Sequence, residues 1–196
     1  MKHLALLTIY STLLFSCGNE NAVKEEPTSN STFENQMKEG CASIFEALKI
    51  GDQDAFYINL LSTEMYFNEM GGTKKNLCVP KNKQNEVFSR YYNKLREITG
   101  GRMLTLTPTH LRHFTDEKKT EIDIIFKDDR EHYYKFHGLG YLTHEGNIYY
   151  TLANDDFYEI NLQEAIREVK ELKEEIQRYL KKHPSLEASI ELIKLE

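Results

Sequence analysis

Histidine is the side chain best suited to proton transfer and metal binding near neutral pH, and most histidines of this chain fall in one region. They are His110, His113, His132, His137 and His144. Metal ligands on a strand must share a face, and only residues an even number apart do so. The odd separations 110/113 and 132/137 therefore predict surface histidines, with no metal site and no cofactor.

Tyrosines and their polar neighbours offer a different chemistry, an aromatic surface for a sugar, a peptide or an apolar small molecule. The pairs Tyr133-Tyr134 and Tyr149-Tyr150 lie in segments that alternate like strands, so one member of each pair points into the core and the other outward. The candidate ligand surface predicted by this alternation consists of Tyr133, Lys135, His137, Tyr141 and Tyr149.

Familiar catalytic motifs are missing from the sequence. It has no Gly-x-Ser-x-Gly turn, no phosphate-binding Gly-Lys-Ser/Thr loop and no dinucleotide-binding glycine fingerprint. Asp155-Asp156 could bind calcium or act as an acid–base pair, but the run 154–156 is more typical of a turn. A catalytic site would have to be assembled from scattered histidines and acids, so we favour a non-enzymatic role.

Two cysteines, Cys41 and Cys78, lie 37 positions apart and could form a disulfide in an oxidising compartment. A bridge closing a loop of that length would stabilise the fold by about 4 kcal/mol. Cys41 also belongs to a helical apolar series, in which a small buried thiol serves as an ordinary core residue. A disulfide and two buried thiols are both open interpretations of the sequence.

The elements that position these residues begin with helices. An apolar stripe over 33–50 predicts a helix that ends at Gly51, and Asp52 can cap a second helix in the stretch GDQDAFYINLLS. A third helix is predicted from about Gln84 to Thr99, where two glycines end it. These helices precede any strand-like pattern in the chain.

The middle of the chain then changes to the period of strands. Extended segments are predicted at 103–106, 111–114, 120–126, 132–142 and 148–152. Pro108 separates the first two segments, and Gly146 provides the turn before the last one. The pattern indicates an antiparallel meander of about four strands.

A long helix follows the strands. Asn161 and Glu164 form a capping box, and one apolar stripe runs toward Pro184 beneath alternating Glu and Lys. We expect this helix to dock on the sheet, and Ser185 to cap a short final helix. The predicted fold class is α+β, with N-terminal helices, the meander and the long C-terminal helix in one domain over residues 33–196.

Helices followed by a meandering sheet resemble the NTF2-like and cystatin-like α+β folds. The stretch EALKIGDQDAFYINLL, Glu46 to Leu61, is similar to the opening helices of that superfamily. The resemblance implies a curved sheet with a pocket between the helices and the concave face, in a family where catalysis and pure binding both occur. The long C-terminal helix departs from this pattern, because those domains usually end on strands.

The N-terminus has the composition of a secretory signal, a basic start followed by the apolar run 4–15. That run is shorter than the roughly 20 residues of a membrane-spanning helix. Leu14-Phe15-Ser16-Cys17 then resembles the lipobox of bacterial lipoproteins, although Phe15 stands where a small residue is usual. The resemblance implies a signal peptide over 1–16, cleavage before Cys17, a diacylglycerol thioether on its sulfur and usually a further acyl chain, such as palmitate, on its amino group.

Residues 17–32 would form the lipidated flexible tether of such a protein. The run Gly18 to Thr32 is polar and aperiodic, a composition that does not fold by itself. Several acyl chains together give stable attachment, so a membrane is the first expected partner. Gly18 is not the aspartate that retains lipoproteins at the inner membrane, so the resemblance implies the cell envelope, with the outer membrane as destination and the leaflet left open.

Charge limits the remaining partners. The chain has 31 acidic and 25 basic residues, a formal net charge of −6, which argues against nucleic acid and against broad adhesion to anionic lipid. We therefore predict a lipid-anchored envelope protein that binds an unknown small molecule or protein. Two alternatives stay open, an immunity or inhibitor lipoprotein whose acidic charge neutralises a basic toxin or enzyme, and an envelope hydrolase.

Overall fold

The computed structural model describes residues 29–61, 66, 78–144 and 146–195, without the side chains of 29–32, 144 and 153–155. The predicted signal peptide, the lipidation site Cys17 and most of the tether lie outside these residues. The described residues form helices and an antiparallel sheet, so the α+β fold class is confirmed.

The described part of the chain opens with helices. Helix α1 spans Ser29–Ile50, α2 spans Gln53–Ile58 and α3 spans Gln84–Ile98. Gly51 joins the first two at a φ of 80°, and the Asp52 carboxylate accepts a hydrogen bond from the Ala55 N–H at 2.9 Å. The capping roles predicted for this glycine and this aspartate are therefore confirmed.

A five-stranded antiparallel sheet follows in the order β4-β3-β2-β1-β5. The strands are β1 Thr107–Asp116, β2 Thr120–Lys127, β3 Tyr133–His144, β4 Asn147–Ile160 and β5 Ala188–Lys194. The first four strands make the predicted meander. Strand β4 continues through the turn predicted at 154–156. It pairs with β3 before this run and at its end, with Leu152 opposite Leu139 and Asp156 opposite His137.

Two further segments differ from the predictions. The short helix expected after Ser185 is instead strand β5, which pairs with β1 from Ala188 to Lys194. Its sequence ASIELIK alternates as a strand does, and the long-range pairing outweighs the weak helical signal of so short a segment. The predicted strand at 103–106 contains a 3₁₀ turn, Met103–Thr105, and β1 passes Pro108 by a shift of register.

The main core lies between α1–α3 and one face of the sheet, called here the core face. Phe45 of α1 packs on Phe126 of β2 with ring centroids 4.7 Å apart, and Phe136 stacks on Phe157 at 4.5 Å and 7°. All of these rings are buried. Apolar burial of this kind is the principal source of stability of the fold.

Helix α4, Leu162–Lys182, links β4 to β5 across the opposite side of the sheet, called here the second face. The Asn161 side chain caps it by accepting a hydrogen bond from the Gln163 N–H at 3.0 Å. Val169 is the one residue of its apolar stripe that is buried, whereas Ile166 is 38% and Tyr179 is 54% exposed. The predicted helix is confirmed, and its docking covers only part of its stripe.

Candidate functional site

Four charged or titratable side chains of the second face meet at one point because of strand register. Asp123 of β2 lies opposite Arg112 of β1 and opposite His137 of β3, and Lys135 precedes His137 by two positions, on the same face. The Asp123 side chain is only 1% exposed. A buried carboxylate must be paired to be tolerated, and its neighbours provide that pairing.

The distances define a compact ion cluster. Asp123 Oδ1 lies 2.6 Å from His137 Nδ1, and Oδ2 lies 2.5 Å from Arg112 Nε and 3.6 Å from Lys135 Nζ. Arg112 Nη1 also lies 3.7 Å from Glu168 of α4. We call these five residues the Asp123 cluster. The cluster connects the sheet to α4 by ion pairs, whereas the core face contacts its helices by apolar packing.

A groove opens beside the Asp123 cluster, between α4 and strands β3 and β4. Its volume is about 580 Å³, within the range of ligand pockets. We call it the α4 groove, and its lining consists of Lys135, Tyr158, Glu159, Ile160, Asn161, Glu164, Ala165, Arg167, Glu168 and Glu171. Four carboxylates against two cations give this lining an excess of negative charge.

Tyr158 forms the aromatic part of the α4 groove. Its side chain is 39% exposed, and the Lys135 ammonium lies 4.9 Å from the centre of its ring. This is the geometry of a cation–π contact. The groove therefore combines an aromatic face that accepts a cation with carboxylates that can neutralise one.

The predicted ligand surface is only partly assembled in this region. Lys135 and His137 both contact Asp123, and Tyr133 is half-buried on the same face, opposite Ile160 at the end of the groove. Tyr149 lies elsewhere. It is half-buried against a small second cluster formed by Leu61, Tyr66 and Cys78.

The prediction for Tyr141 was wrong. The pairing of β3 with β4 is irregular between His137 and Leu139, where Gly138 has a φ of 134°. This bulge reverses the alternation beyond it. Tyr141 therefore lies on the core face, 7% exposed, with its hydroxyl 2.5 Å from Nε2 of the buried His113.

Sequence reasoning missed three members of the Asp123 cluster. Asp123 is the polar position of an alternating strand, and Arg112 and Glu168 lie 11 positions before it and 45 after it. The signal available in the sequence was an aspartate flanked by Ile122 and Ile124 in a strand that turned out to be buried on both faces. Only the register shows which cations face it.

The histidines separate between the two faces. His113 is buried on the core face, whereas His137 belongs to the second face. Burial lowers the pKa of His113, against a smaller opposing effect of Glu191, and burial with the charge of Lys194 lowers the pKa of His110. Among the described residues no group of three or more His, Cys, Asp or Glu side chains could hold a metal ion.

Both cysteines are free thiols in the structure, and they lie in different clusters. Cys41 is fully buried in the main core, and Cys78 lies in the small cluster beside Tyr149. Burial raises the pKa of Cys41 to about 12, only partly offset by a hydrogen bond with Tyr150, and burial also raises the pKa of Cys78. Cys41 is thus the buried core thiol of the second interpretation, and the disulfide is not formed here.

No helix among the described residues is long and apolar enough to cross a membrane. No family model, no curated protein and no solved structure matches the chain.

Proposed function

We propose that this protein is a lipid-anchored component of the bacterial cell envelope and binds a cationic ligand, or a cationic segment of another protein, in the α4 groove. The α4 groove carries this proposal, because it combines ligand-sized volume, an exposed tyrosine face and excess carboxylate. The proposed role is binding without catalysis.

The preference for a cation follows from which charges are already compensated. Arg112 and Lys135 face two carboxylates, the buried Asp123 and Glu168, so neither offers a free charge to an anionic ligand. Glu164 and Glu171 lie in the wall of the groove on α4. The contact of Glu171 with Arg167 is 3.9 Å long between exposed side chains, an ion pair of little strength. A ligand ammonium or guanidinium could therefore pair with these carboxylates, because breaking the weak contact of Glu171 with Arg167 costs little free energy.

Membrane attachment rests on the lipobox-like run 14–17 and on the polar stretch that follows it. Acyl groups on Cys17 would hold the domain at a bilayer through a tether of about 15 residues, since several chains bind far more firmly than one. Growth with a radiolabelled fatty acid tests this part. We expect label on the natural chain and none on Cys17→Ser, and label on neither would contradict it.

The binding proposal is tested by calorimetric titration of the full chain in detergent with a hexa-arginine peptide. A variant with Glu164, Glu168 and Glu171 all changed to Gln should bind about tenfold more weakly or worse. The matched control changes three exposed glutamates outside the groove, Glu97, Glu117 and Glu187, to Gln. It has the same net charge, so equal weakening in both variants would contradict a groove-specific site.

An immunity or inhibitor lipoprotein is a special case of this binding role, in which the cationic segment belongs to a basic toxin or enzyme. The excess carboxylate of the α4 groove is the observation that favours it. Protection of cells by the natural chain and loss of protection by the triple Gln variant would distinguish this case from small-molecule binding.

An envelope hydrolase is the second candidate, and the His137–Asp123 pair is the observation that favours it. A carboxylate on Nδ1 fixes the imidazole tautomer and leaves Nε2 free to accept a proton. Asp123 is also paired with Arg112 and Lys135, however, which weakens its support of a charged imidazole. Ester hydrolysis that is abolished by His137→Gln would establish this candidate over pure binding.

A further inference from the structure

Strand β5 forms one outer edge of the sheet and is bonded on one side only, to β1. The hydrogen-bond pattern shows which of its backbone groups face outward. The Leu195 N–H donates to the Thr109 carbonyl at 2.8 Å, so residue 195 points toward β1. In an antiparallel pair this direction alternates along the strand.

The alternation assigns the backbone of Ile193, Glu191 and Ser189 to the ladder with β1. The N–H and C=O groups of Ile190 and Leu192 therefore point away from the sheet. The hairpin of β1 with β2 supports this assignment, because Asp116 N–H donates to Lys119 O and so places the groups of Phe114 toward β2. Within the described part of the chain, no hydrogen bond reaches the outward groups of Ile190 and Leu192.

Two open cavities flank this free edge, one on each face of the sheet. The cavity on the core-face side measures about 380 Å³, and Phe33, Met37 and Ile193 line it together with the carboxylates of Glu34 and Glu191. It offers apolar walls with negative charge. A basic side chain with a long aliphatic stem suits such a site.

The cavity on the second-face side measures about 440 Å³. Its apolar wall contains Val169 of α4 with Ile190 and Leu192 of the strand, and its cations are Lys173 and Lys194. Glu34 and Glu191 line this cavity as well as the other, so the two cavities adjoin at the edge of β5. Its two cations are matched by two carboxylates, so this side suits aliphatic side chains.

We propose that the edge of β5 binds an extended segment of a partner protein by strand addition, in a cleft between α1 and α4. Backbone hydrogen bonds to Ile190 and Leu192 would hold the segment, and alternate side chains would enter the two cavities. Its basic side chains would face Glu34 and Glu191, and its aliphatic side chains would face Val169. This site is separate from the α4 groove, which lies at strands β3 and β4.

A second copy of this chain fits the edge less well. The antiparallel register that uses every outward residue of β5 places Ile190 opposite Leu192 of the other copy. It also places the two Glu191 side chains directly opposite each other, and like charges at that position are destabilising. Charge complementarity therefore favours a basic partner segment over self-pairing.

The test uses the full chain in detergent and an acetylated, amidated peptide of alternating lysine and valine. In an antiparallel addition the valines lie opposite Ile190 and Leu192, so their N–H groups face β5. We expect saturable binding, and slower amide exchange at Ile190 and Leu192. The same peptide built with N-methylvaline keeps its charge but loses those N–H groups, so we expect it to bind at least about tenfold more weakly.

The matched variants are Leu192→Pro and Ile193→Pro. Proline at 192 removes an outward N–H and leaves the ladder with β1 intact, which edge strands tolerate. It should keep the melting temperature near that of the natural chain and remove the part of the peptide binding that N-methylation also removes. Proline at 193 removes an inward N–H and should destabilise the fold.

Several results would overturn the proposal. One is equal binding of the N-methylated peptide, which would assign the interaction to charge alone, for example in the α4 groove. Another is amide exchange at Ile190 and Leu192 that is already as slow as at Ile193 in the free chain. A dimer that Leu192→Pro dissociates would identify a second copy as the occupant instead.

Discussion

The two faces of the sheet are built by different physical means. The core face is sealed by aromatic and aliphatic packing against α1–α3. Within that packing the cavity beside Tyr57 and Tyr150 measures only about 20 Å³, room for about one water, and the larger cavity on this side opens at the β5 edge. The second face buries Asp123 by ion pairing and lies under a helix whose stripe has one buried residue. Apolar packing is therefore concentrated on the core face, and the second face is left free to bind.

The largest expected effect is on the core face. Phe136→Ala removes a buried ring stacked on Phe157 and should lower the free energy of unfolding by about 3–5 kcal/mol. Tyr158→Ala removes a partly exposed ring from the second face and should cost less than about 1 kcal/mol. Urea unfolding of both variants measures this difference, and similar losses would contradict the division between faces.

The second largest effect on stability is expected from a change in the Asp123 cluster. Asp123→Ala leaves the partly buried Arg112 and Lys135 without this shared carboxylate and should cost about 3 kcal/mol. The control Asp156→Ala removes an exposed carboxylate 3.8 Å from Lys94 and should cost less than about 0.5 kcal/mol.

The double variant Asp123→Leu with Arg112→Met sharpens this prediction. Replacing a buried ion pair by apolar groups of similar volume is often neutral, so the double variant should recover part of the stability lost in Asp123→Ala. No recovery would show that the cluster stabilises the sheet by more than mutual charge compensation.

A smaller effect concerns the polar pair on the core face, His113 and Tyr141. Burial holds the pKa of His113 below its ordinary value of 6.5, so the folded chain keeps the ring neutral while the unfolded chain binds a proton. The free energy of unfolding should therefore fall as the pH drops below about 6.5.

The measurement compares the natural chain with His113→Gln in urea at several values of pH. The advantage of the natural chain should be full well above pH 6.5 and should shrink as the pH falls below 6.5. Leu104→Ala, at an exposed position without a titratable group, serves as control and should differ from the natural chain by the same amount at every pH. If the natural chain were more stable than His113→Gln by the same amount at every pH, this would contradict the burial of His113 as a neutral imidazole.

The smallest expected effect is that of a reductant. With Cys41 and Cys78 as free thiols, dithiothreitol should leave the free energy of unfolding unchanged, whereas loss of a native disulfide costs about 2–5 kcal/mol. Both thiols should react with iodoacetamide after unfolding without reductant. Thiols that appear only after reduction would instead establish the bridge predicted as an alternative.

Local signals in the sequence were sufficient for the helices and the meander. Helices α1, α3 and α4 have long apolar stripes, and Asp52 and Asn161 cap their helices as predicted. Strand β5 was missed because seven residues carry too little periodicity to separate a short helix from a strand. Its identity depends on pairing with β1, which is a long-range contact.

The candidate site could be predicted only in part, because it also depends on long-range pairing. Parity placed Lys135 and His137 correctly on one face, but the bulge at Gly138 moved Tyr141 to the core face. The partners Asp123 and Arg112 become visible only when three strands are in register. Local alternation predicts which residues share a strand face, and tertiary pairing decides which of them touch.

The central claim is that the second face, at the α4 groove, is where this protein binds. Site-specific photocrosslinking in intact cells tests it most directly, with the photoreactive residue at Ala165 in the groove or at the exposed Glu97 on the other side of the sheet. The account predicts a discrete adduct from position 165 that is lost on changing Glu164, Glu168 and Glu171 to Gln, and none from position 97. Equal adducts from both positions, or an adduct that survives the triple change, would contradict it.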